Sequence, residues 1–495
     1  RDSRFPFRIT ARSWRMIDRL ERLLGRENVV SDPSALAAYD DDYSEVESVL
    51  PAAVVLPTTV PQVQAIVRFA GETGICLTPR VAGTNVGGLA IPTPRSIVVD
   101  FRRMNRVLEV YPDDRVAVIE PGVTQQQLKD HLDSLGLPLT FGFSLGPRRS
   151  SVLANCCLDG LHNRSLKYGA MGQSVSGFEV VLADGSLMRT GAWALSDIPF
   201  ARSPLPDLSG LFVGWQGTTG LVTKVGFHLA HKHPFSERLF VLAYSVRGTF
   251  EAMRRLSRME FCDDIGGLSW PTGKMMLGVT KPHPIADDGE PRFFLYVDLT
   301  AERPEQLVLK RQMLEDVLSE LRQEGQRYEE PIGIETLVTL NPAMGAFASF
   351  PTDLGFLTDH PGGGLTWVGT YGPLSRFDDA AHEGIEVMVR HGFAPAIVSR
   401  SMKEGHFGVL RFLSLFDKKK PQEIEIVKRV NLELLHAMTA RGFIMYKTPS
   451  WALREWLSHI DPGFLSMMRK VKTLLDPQGI FNPGKLLLPW PENEG

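Results

Sequence analysis

The sequence predicts an α+β protein with two domains. Its 495 residues exceed the size at which a single hydrophobic core usually stops growing. Residues 51–119 show the order strand, helix, strand, glycine-rich loop and then several strands, which is not the regular alternation of a doubly wound sheet. After residue 234 the pattern changes to long amphipathic helices between strands. We therefore expect a first domain at residues 1–235 and a second at residues 236–454.

The early elements follow from the spacing of apolar residues. Ile17, Leu20 and Leu24 recur at helical spacing, and Gly25 ends that helix. The apolar residues 52–57 predict a strand, and Pro61 is a suitable first residue for the helix that follows. Further strands are expected in five short stretches, at residues 76–78, 97–100, 106–110, 116–119 and 177–182.

Later elements include a hairpin and several helices. Asp184-Gly185 lies between two apolar runs, which is a strong hairpin signal. The second domain should contain antiparallel strands, including residues 239–245, 293–299 and 409–416. Amphipathic spacing predicts helices at residues 305–324, 380–390, 422–439 and 451–488.

Composition excludes several classes of protein. Lys and Arg total 54 and Asp and Glu total 57, so the chain lacks the basic excess typical of nucleic-acid-binding proteins. We find no apolar run near the roughly 20 residues that span a bilayer. The four cysteines show no disulfide framework or zinc-site spacing, and no metal site is predicted. Residues 1–5 contain no apolar signal-peptide core, so we expect a cytoplasmic protein with free thiols.

The loop Gly83-Thr84-Asn85-Val86-Gly87-Gly88 is the main candidate for ligand binding. Glycines let backbone N–H groups approach an anion closely, and clustered amides often bind phosphate. The loop lacks the Gly-Lys-Ser/Thr ending of a Walker A motif. It also differs from the Rossmann motif, because a strand and not a helix is expected after it. A tight turn between strands is the alternative interpretation of this loop.

Three other segments accompany this loop in a recognisable order: Glu120-Pro121-Gly122-Val123, Gly214-Trp215-Gln216-Gly217-Thr218-Thr219-Gly220, and Asn482-Pro483-Gly484-Lys485. Together the four segments resemble the vanillyl-alcohol oxidase / p-cresol methylhydroxylase superfamily of FAD flavoproteins. The resemblance extends from about residue 51 to residue 489. It implies a PCMH-type FAD-binding domain, a substrate (cap) domain, and a C-terminal segment, residues 455–495, that packs back onto the first domain.

The resemblance also implies which residues hold FAD. The glycine loop would bind the pyrophosphate, and Lys485 would stabilise the negative charge of the reduced flavin. The expected cofactor-binding residues are Val81, Ala82, Gly83, Thr84, Asn85, Val86, Gly87, Pro121, Gly122, Val123, Ser151, Ala154, Asn155, Gly217, Thr218, Gly220, Val222, Asn482 and Lys485.

The sequence is most similar to the branch of that superfamily that oxidises 4-hydroxybenzyl compounds. The stretch Gly442-Phe443-Ile444-Met445-Tyr446-Lys447-Thr448 matches the place where that branch carries a Tyr-Arg pair that binds the phenolate oxygen. Tyr446 and Lys447 would stabilise a phenolate from which hydride passes to flavin N5. Here Lys447 replaces the arginine. The implied reaction is oxidation of a para-substituted phenol or aromatic alcohol.

Two more catalytic candidates come from the resemblance. Asp159 lies near the family's acidic residue, although in another register Leu158 takes that position. His406 is a candidate base, since its ordinary pKa is near neutral. Trp367 is expected to contact the substrate. A simple structural role is the alternative for each of these residues.

Two alternative functions stay open at this point. In a D-2-hydroxy-acid dehydrogenase of the lactate or glycolate type, Arg400 or Arg411 would bind the substrate carboxylate and His406 would act as base. Residues 405–408 lack the second histidine of the metal-binding motif common in those relatives. The other alternative is a flavin-binding subunit without substrate chemistry of its own.

The mode of cofactor attachment and the partners complete the expectations. Many relatives attach FAD through a histidine in the glycine loop or a His or Tyr in the second domain, and neither Thr84-Asn85 nor residues 362–367 contain one. We therefore expect non-covalent FAD. Oxygen or an electron-accepting protein would reoxidise it, and the resemblance implies a homodimer or larger homo-oligomer.

Overall fold

The structure is a computed structural model that describes residues 11–352 and 355–486. It confirms the mixed α and β fold class predicted from the sequence. The longer helices are Ala11–Leu24, Val60–Thr73, Gln125–Ser134, Val246–Arg258, Pro304–Gln323, Phe377–Arg390, Pro421–Thr439 and Pro462–Leu475. Shorter helices are Pro33–Leu36, Val152–Cys157, Ser165–Tyr168, Trp270–Met276, Ile334–Leu340, Gly355–Thr358 and Ser450–Trp456.

The first sheet has four strands: Val29–Val30 (β1), Ala53–Val55 (β2), Leu77–Arg80 (β3) and Ile97–Asp100 (β4). Their spatial order is β1-β2-β4-β3. The pair β1 and β2 is antiparallel, whereas β4 runs parallel to both of its neighbours. The helices Ala11–Leu24 and Val60–Thr73 contribute apolar side chains to the core around this sheet. The glycine loop follows β3 directly.

The second sheet has five antiparallel strands: Val107–Tyr111 (β5), Val116–Ile119 (β6), Val175–Val181 (β8), Leu187–Arg189 (β9) and Leu221–His228 (β10). Their spatial order is β5-β6-β10-β8-β9. The predicted Asp-Gly hairpin joins β8 to β9. A small sheet pairs Leu139–Thr140 (β7) with Ala230–His231 (β11).

An eight-stranded antiparallel sheet occupies the later part of the chain. Its strands are Phe235–Ala243 (β12), Asp264–Ser269 (β13), Phe293–Ala301 (β14), Ile332–Gly333 (β15), Gly363–Gly372 (β16), Ala396–Met402 (β17), Phe407–Asp417 (β18) and Ile444–Met445 (β19). Their spatial order is β15-β12-β14-β13-β17-β18-β16-β19. The helices between these strands pack apolar faces such as Leu314, Leu318 and Leu434 into its main core.

The C-terminal segment returns to the first sheet. Phe481 forms a parallel bridge with Leu77, and the backbone N–H of Asn482 donates to the Leu77 carbonyl at 2.7 Å. The segment expected to be helical, residues 451–488, contains two helices, Ser450–Trp456 and Pro462–Leu475. Asp461 caps a new helix by accepting from the N–H of Phe464, and Pro462 occupies its first position, so the chain breaks there. The helix ends at Leu475; residues 487 and 488 lie outside the described part.

Candidate functional site

A large cavity lies between the glycine loop and the eight-stranded sheet. Its empty space, including the mouth, is about 1620 Å³. Its walls come from residues within 79–90, 144–161, 212–222 and 357–367 and from a few single residues, among them Arg411 and Asn482. We call it the central cavity. Because segments distant in sequence converge on it, it is the best candidate for a ligand site in this fold.

The glycine loop presents unpaired amides to the central cavity. Residues 82–86 line the wall, and their five backbone N–H groups have no acceptor within the described part of the chain. Consecutive free N–H groups form a concave site of positive potential. The loop therefore has the chemistry needed to bind a phosphate or pyrophosphate.

Two charged residues hold the end of this loop from behind. The Asp42 carboxylate accepts from the N–H of Gly88 at 2.7 Å, and Lys485 Nζ donates to the Gly88 carbonyl at 2.6 Å. Burial raises the pKa of Asp42 and lowers the pKa of Lys485 to about 8. Lys485 does not line the central cavity. Lys485 thus fixes the glycine loop. It does not lie in the cavity wall, where it was expected to stabilise the negative charge of the reduced flavin.

Two amide side chains of the same wall carry acceptor oxygens without a hydrogen-bond partner in the described residues. Gln216 and Asn482 line the central cavity, and Asn482 Nδ2 donates to the Gln216 carbonyl at 2.7 Å. Gln216 Oε1 and Asn482 Oδ1 are buried and have no donor in the described residues. Unpaired buried acceptors are costly, so a ligand that brings N–H or O–H donors is expected here. FAD carries such donors on its ribityl chain, adenine and flavin ring, and its phosphates suit the amides of residues 82–86.

A short helix carries the next part of the wall. Ser151 caps the helix by accepting from the N–H of Ala154 at 3.0 Å and donates to the Pro121 carbonyl at 2.6 Å. Asn155 in the same helix accepts from Lys447 Nζ at 3.1 Å. Through this contact the helix joins the segment that follows the last strand of the eight-stranded sheet.

A cationic and aromatic cluster forms the wall on the side of the eight-stranded sheet. Arg411, on β18, lies 4.5 Å from the ring centre of Trp367 on β16 and donates to the hydroxyl of Tyr446. The Tyr446 ring stacks on Tyr371 at 4.5 Å between ring centroids. Lys447 follows Tyr446 in the sequence. Four of these residues line the central cavity, and we call them the cationic cluster: Trp367, Arg411, Tyr446 and Lys447.

The cations of the cationic cluster have no ion-pair partner among the described residues. In residues 11–352 and 355–486, no carboxylate lies within 4 Å of the charged nitrogens of Arg411 or Lys447. Arg411 Nε is buried and has no acceptor there. Burial and the neighbouring Arg411 lower the pKa of Lys447 to about 8, against the opposing effect of Asp159. Below that pH the wall holds a buried cation, Arg411, and a half-buried one, Lys447, which is an arrangement suited to an anionic ligand.

The structure brings together most of the predicted cofactor residues. Pro121, Ser151, Ala154, Asn155, Gly217, Gly220, Val222 and Asn482 line the central cavity along with residues 81–86. Five predicted residues are not part of the lining: Gly87, Gly122, Val123, Thr218 and Lys485. Gly122 packs against the backbone of Phe101 and Met104, and Thr218 Oγ1 donates to the Trp215 carbonyl, so their contacts are with neighbouring segments.

Three predicted substrate or catalytic residues lie away from the cavity wall. His406 is exposed in the turn before β18. Arg400 is buried and occupied by an ion pair with Asp264 at 3.1 Å and a hydrogen bond to Tyr296. Asp159 accepts from the N–H of Gly172 at 3.0 Å, and burial raises its pKa. Its neighbour Leu158 lines the cavity instead, because Asp159 adopts a left-handed backbone (φ 47°) after the helix.

Sequence reasoning missed part of the wall. Gln216 lies within the motif at residues 214–220, and its position directly before Gly217 could have indicated that it lines the cavity. Residues 144–147 and Leu357 also line the cavity, but they come from loops without a distinguishing pattern. No histidine, aspartate or glutamate is found among the described lining residues. The wall is therefore cationic, aromatic and apolar, and it lacks an obvious general base.

Two family models match separate parts of the chain. The model described as FAD binding domain matches residues 51–191, which include the glycine loop. The model described as FAD linked oxidases, C-terminal domain, matches residues 452–486, which include Asn482. The matched regions thus contain two parts of the central cavity and identify its ligand as FAD.

Known proteins show the same relationship along the whole chain. The chain is 24% identical to the 4-cresol dehydrogenase [hydroxylating] flavoprotein subunit of Pseudomonas putida, over 95% of this chain and 94% of that protein. It is 25% identical to D-2-hydroxyglutarate dehydrogenase of Stutzerimonas stutzeri, over 95% and 98%. The fold is similar to that of p-cresol methylhydroxylase with substrate bound, with a TM-score of 0.84, 23% identity and coverage of 96% and 97%.

These similarities to FAD-linked enzymes agree with the geometry of the central cavity, whose wall offers, within the described residues, free N–H groups at residues 82–86 and unpaired acceptors on Gln216 and Asn482. The helices of the described residues include none with the length and apolar character needed to cross a bilayer. The chain carries an FAD binding domain and the C-terminal domain of FAD linked oxidases, and it is an FAD-linked oxidoreductase similar in fold to p-cresol methylhydroxylase.

Proposed function

We propose that the protein oxidises a para-substituted phenol, by removing hydride from the benzylic carbon of the substituent para to the hydroxyl group. The observation that carries this proposal is the cationic cluster, where Arg411, Tyr446 and Lys447 face one cavity and no described carboxylate forms an ion pair with either cation. We further propose that residues 1–235 and 455–495 form the FAD domain, that residues 236–454 form the substrate domain, and that the reaction takes place between them.

The residues that hold FAD follow from the free polar groups of the wall. The N–H groups of residues 82–86 would bind the pyrophosphate, while Gln216 Oε1 and Asn482 Oδ1 would accept from donors on the cofactor. Bound FAD supplies the hydride acceptor and passes the electrons on to oxygen or to a carrier protein. The remaining chemistry concerns how the chain binds and ionises the substrate.

Ionisation of the phenol is the step that this wall promotes. A free phenol has a pKa near 10, like that of tyrosine, so at neutral pH it must be stabilised as phenolate. The charges of Lys447 and Arg411 favour the phenolate oxygen, and Tyr446 can donate its own proton because it accepts from Arg411. Apolar lining residues such as Leu158 and Leu161 exclude water and strengthen these interactions.

The described lining contains no histidine or carboxylate that could act as base, which favours a phenol over an alcohol. Oxidation of a 2-hydroxy acid requires a group that takes the alcohol proton. The histidine that we expected to do this, His406, is exposed and outside the cavity. A phenol can lose its proton to solvent water as it binds beside the cations, and no base is then needed during hydride loss, because the ionised oxygen provides the electrons that expel the hydride.

A D-2-hydroxy-acid dehydrogenase is the second candidate. Arg411 supports it, since a cavity guanidinium without a carboxylate partner can bind the carboxylate of a hydroxy acid. The similarity to D-2-hydroxyglutarate dehydrogenase is of the same order as that to the cresol enzyme. Arg400 does not support it, because its guanidinium is already paired with Asp264.

Anaerobic reduction of the holoprotein separates the two candidates. We expect 4-alkylphenols and 4-hydroxybenzyl alcohol to bleach the flavin absorbance, and D-lactate and D-2-hydroxyglutarate to leave it unchanged. The 4-methoxy analogues are the matched controls, since they cannot ionise and should fail as substrates. Bleaching by a D-2-hydroxy acid, or equal bleaching by the methoxy analogues, would overturn the phenol proposal.

We also propose that FAD is held without a covalent bond. The described lining residues contain no histidine, and the Tyr446 hydroxyl is engaged by Arg411. Acid precipitation should therefore leave a colourless pellet and a yellow supernatant. A pellet that keeps the flavin spectrum would contradict this assignment.

A further inference from the structure

A second site lies where the small sheet meets the eight-stranded sheet, far along the chain from the glycine loop. His231 is the last residue of β11, and His233 lies just before β12. Glu302 follows β14, the neighbour of β12. His231 Nε2 lies 2.7 Å and His233 Nδ1 lies 2.6 Å from the same carboxylate oxygen, Glu302 Oε1.

We propose that His231, His233 and Glu302 form a binding site for a divalent transition-metal ion such as Zn²⁺. One ligand atom from each residue lies within 4.8 Å of the other two. Zn²⁺ binds imidazole nitrogen and carboxylate oxygen at about 2.0–2.2 Å, usually with four ligands in a tetrahedral arrangement. Three protein ligands leave one position for water.

The backbone fixes two of the three ligands. Ala230 and His231 pair with Thr140 and Leu139 in the small sheet, and the N–H of Lys232 donates to the Pro138 carbonyl at 2.8 Å. Phe235 pairs with Ala301, the residue before Glu302. These pairings fix the backbone next to the ligands, so a metal ion needs only side-chain rotations that open the contacts of 2.7 and 2.6 Å between the rings and Glu302.

The surrounding charges leave the carboxylate available to a cation. Lys232 lies between the two histidines in sequence, but its Nζ is 2.7 Å from Asp133. Among residues 11–352 and 355–486, no lysine or arginine nitrogen lies within 4 Å of the Glu302 carboxylate. Within the described residues, its ionic contacts are those with His231 and His233, and a metal ion bound by all three residues would take the place of these direct contacts. The rings are also oriented to converge, at 4.9 Å between centroids and 80° between planes.

Such an ion would connect two parts of the fold. His231 belongs to the small sheet, whereas Glu302 directly follows a strand of the eight-stranded sheet. The ligands lie outside the central cavity, so the site is independent of the proposed oxidation chemistry. A ligand that binds only the folded state raises the midpoint of thermal unfolding. We therefore expect a stabilising role and no catalytic one.

Titration of the FAD-loaded protein with ZnCl₂ after treatment with a chelator tests the proposal. Calorimetry should give one equivalent of bound Zn²⁺, and the thermal midpoint should rise with added Zn²⁺. Glu302→Gln keeps the shape but removes the charge, and it should weaken binding at least about tenfold, as His231→Ala should. MgCl₂ should not bind, since the site has two nitrogen ligands.

The control is His382→Ala, which removes a histidine that lies against Asp378 elsewhere on the surface. It should leave Zn²⁺ binding unchanged. Absence of stoichiometric binding in the unmodified protein would overturn the proposal. Binding that Glu302→Gln and His231→Ala leave unchanged would overturn it as well, because the ion would then occupy another place.

Discussion

Lys447 is the residue on which the proposed substrate specificity depends most. It stands where the phenol-oxidising branch carries arginine, which is a different hydrogen-bonding group. A lysine is a point charge whose pKa responds to burial, whereas an arginine stays charged. Here burial and Arg411 lower the pKa of Lys447 to about 8, and Asn155 accepts a hydrogen bond from its Nζ. The substitution makes the cluster sensitive to pH in a range where an arginine would not be.

We expect Lys447→Met to lower kcat/KM for a 4-alkylphenol roughly 100-fold, a loss comparable to that of an oxyanion-stabilising donor. The change removes a charge that stabilises the phenolate and preserves most of the side-chain volume. Steady-state kinetics on the FAD-loaded protein measures it. Lys447→Arg should retain most of the activity, and equal losses in the two variants would argue against a role for the charge.

The pH profile should show the titration of Lys447. Because its pKa is lowered to about 8, the ammonium form is complete below that pH and is lost as the pH rises through it. We therefore expect kcat/KM for a phenol to fall above about pH 8, since this parameter reports the free enzyme. In Lys447→Arg that fall should move to higher pH. A profile that keeps its descending limb in this variant would assign the limb to another group.

At the scale of elements, the positions of strands and helices can be predicted well from the sequence, whereas the tertiary contacts between them cannot. The helices around residues 305–324 and 422–439 and the hairpin at Asp184-Gly185 lie within a few residues of their expected places, because apolar spacing and turn chemistry are local. The pairing of Phe481 with Leu77 is a long-range contact, and only the family resemblance indicated it. The place of His406 outside the cavity could not be predicted for the same reason, since it depends on how β18 packs.

The turn at Gly217 provides an element-scale test of the cofactor wall. Gly217 lines the cavity with φ of 71°, and a β-carbon there would lie 2.6 Å from Pro79 Cγ. Alanine costs roughly 1–2 kcal/mol in this backbone region. We expect Gly217→Ala to raise the Kd for FAD at least about tenfold, as measured by flavin fluorescence titration.

Gly136→Ala is the matched control for Gly217→Ala. Gly136 has a similar φ of 66°, but nothing lies within 4 Å of its added β-carbon, and it does not line the cavity. It should lower thermal stability slightly without changing FAD affinity. If both variants bound FAD equally well, the turn at Gly217 would have no role in shaping the cofactor site.

The helix Pro462–Leu475 anchors the C-terminal segment through a buried lysine. Lys472 Nζ forms an ion pair with Asp476, whose carboxylate is buried, and donates to the Thr218 carbonyl at 2.6 Å. Lys472→Met leaves Asp476 without its counter-charge, so we expect the free energy of unfolding to fall by about 3–5 kcal/mol. Chemical denaturation measures this. Lys470→Met, an exposed change in the same helix, should be nearly neutral, and similar losses in both would refute the anchor.

For the whole molecule, the cofactor could be predicted more fully than the substrate. The FAD wall consists largely of backbone N–H groups and small residues, whose positions are marked by glycine motifs. The substrate wall depends on side chains from β16, β18 and the segment after β19, which only the folded sheet brings together. Arg411 illustrates this. From the sequence, Arg400 and Arg411 were equal candidates for binding a carboxylate, but in the structure Arg400 forms an ion pair with Asp264, whereas Arg411 lines the cavity.

The most direct test of the central claim is the ionisation state of a bound phenol. A non-oxidisable ligand such as 4-hydroxybenzaldehyde changes its absorption when it ionises. Added to the FAD-loaded protein at a pH below the ligand's own pKa, it should show the phenolate spectrum, and Lys447→Met should restore the spectrum of the neutral phenol. A bound ligand that stays neutral in the unmodified protein would contradict the account.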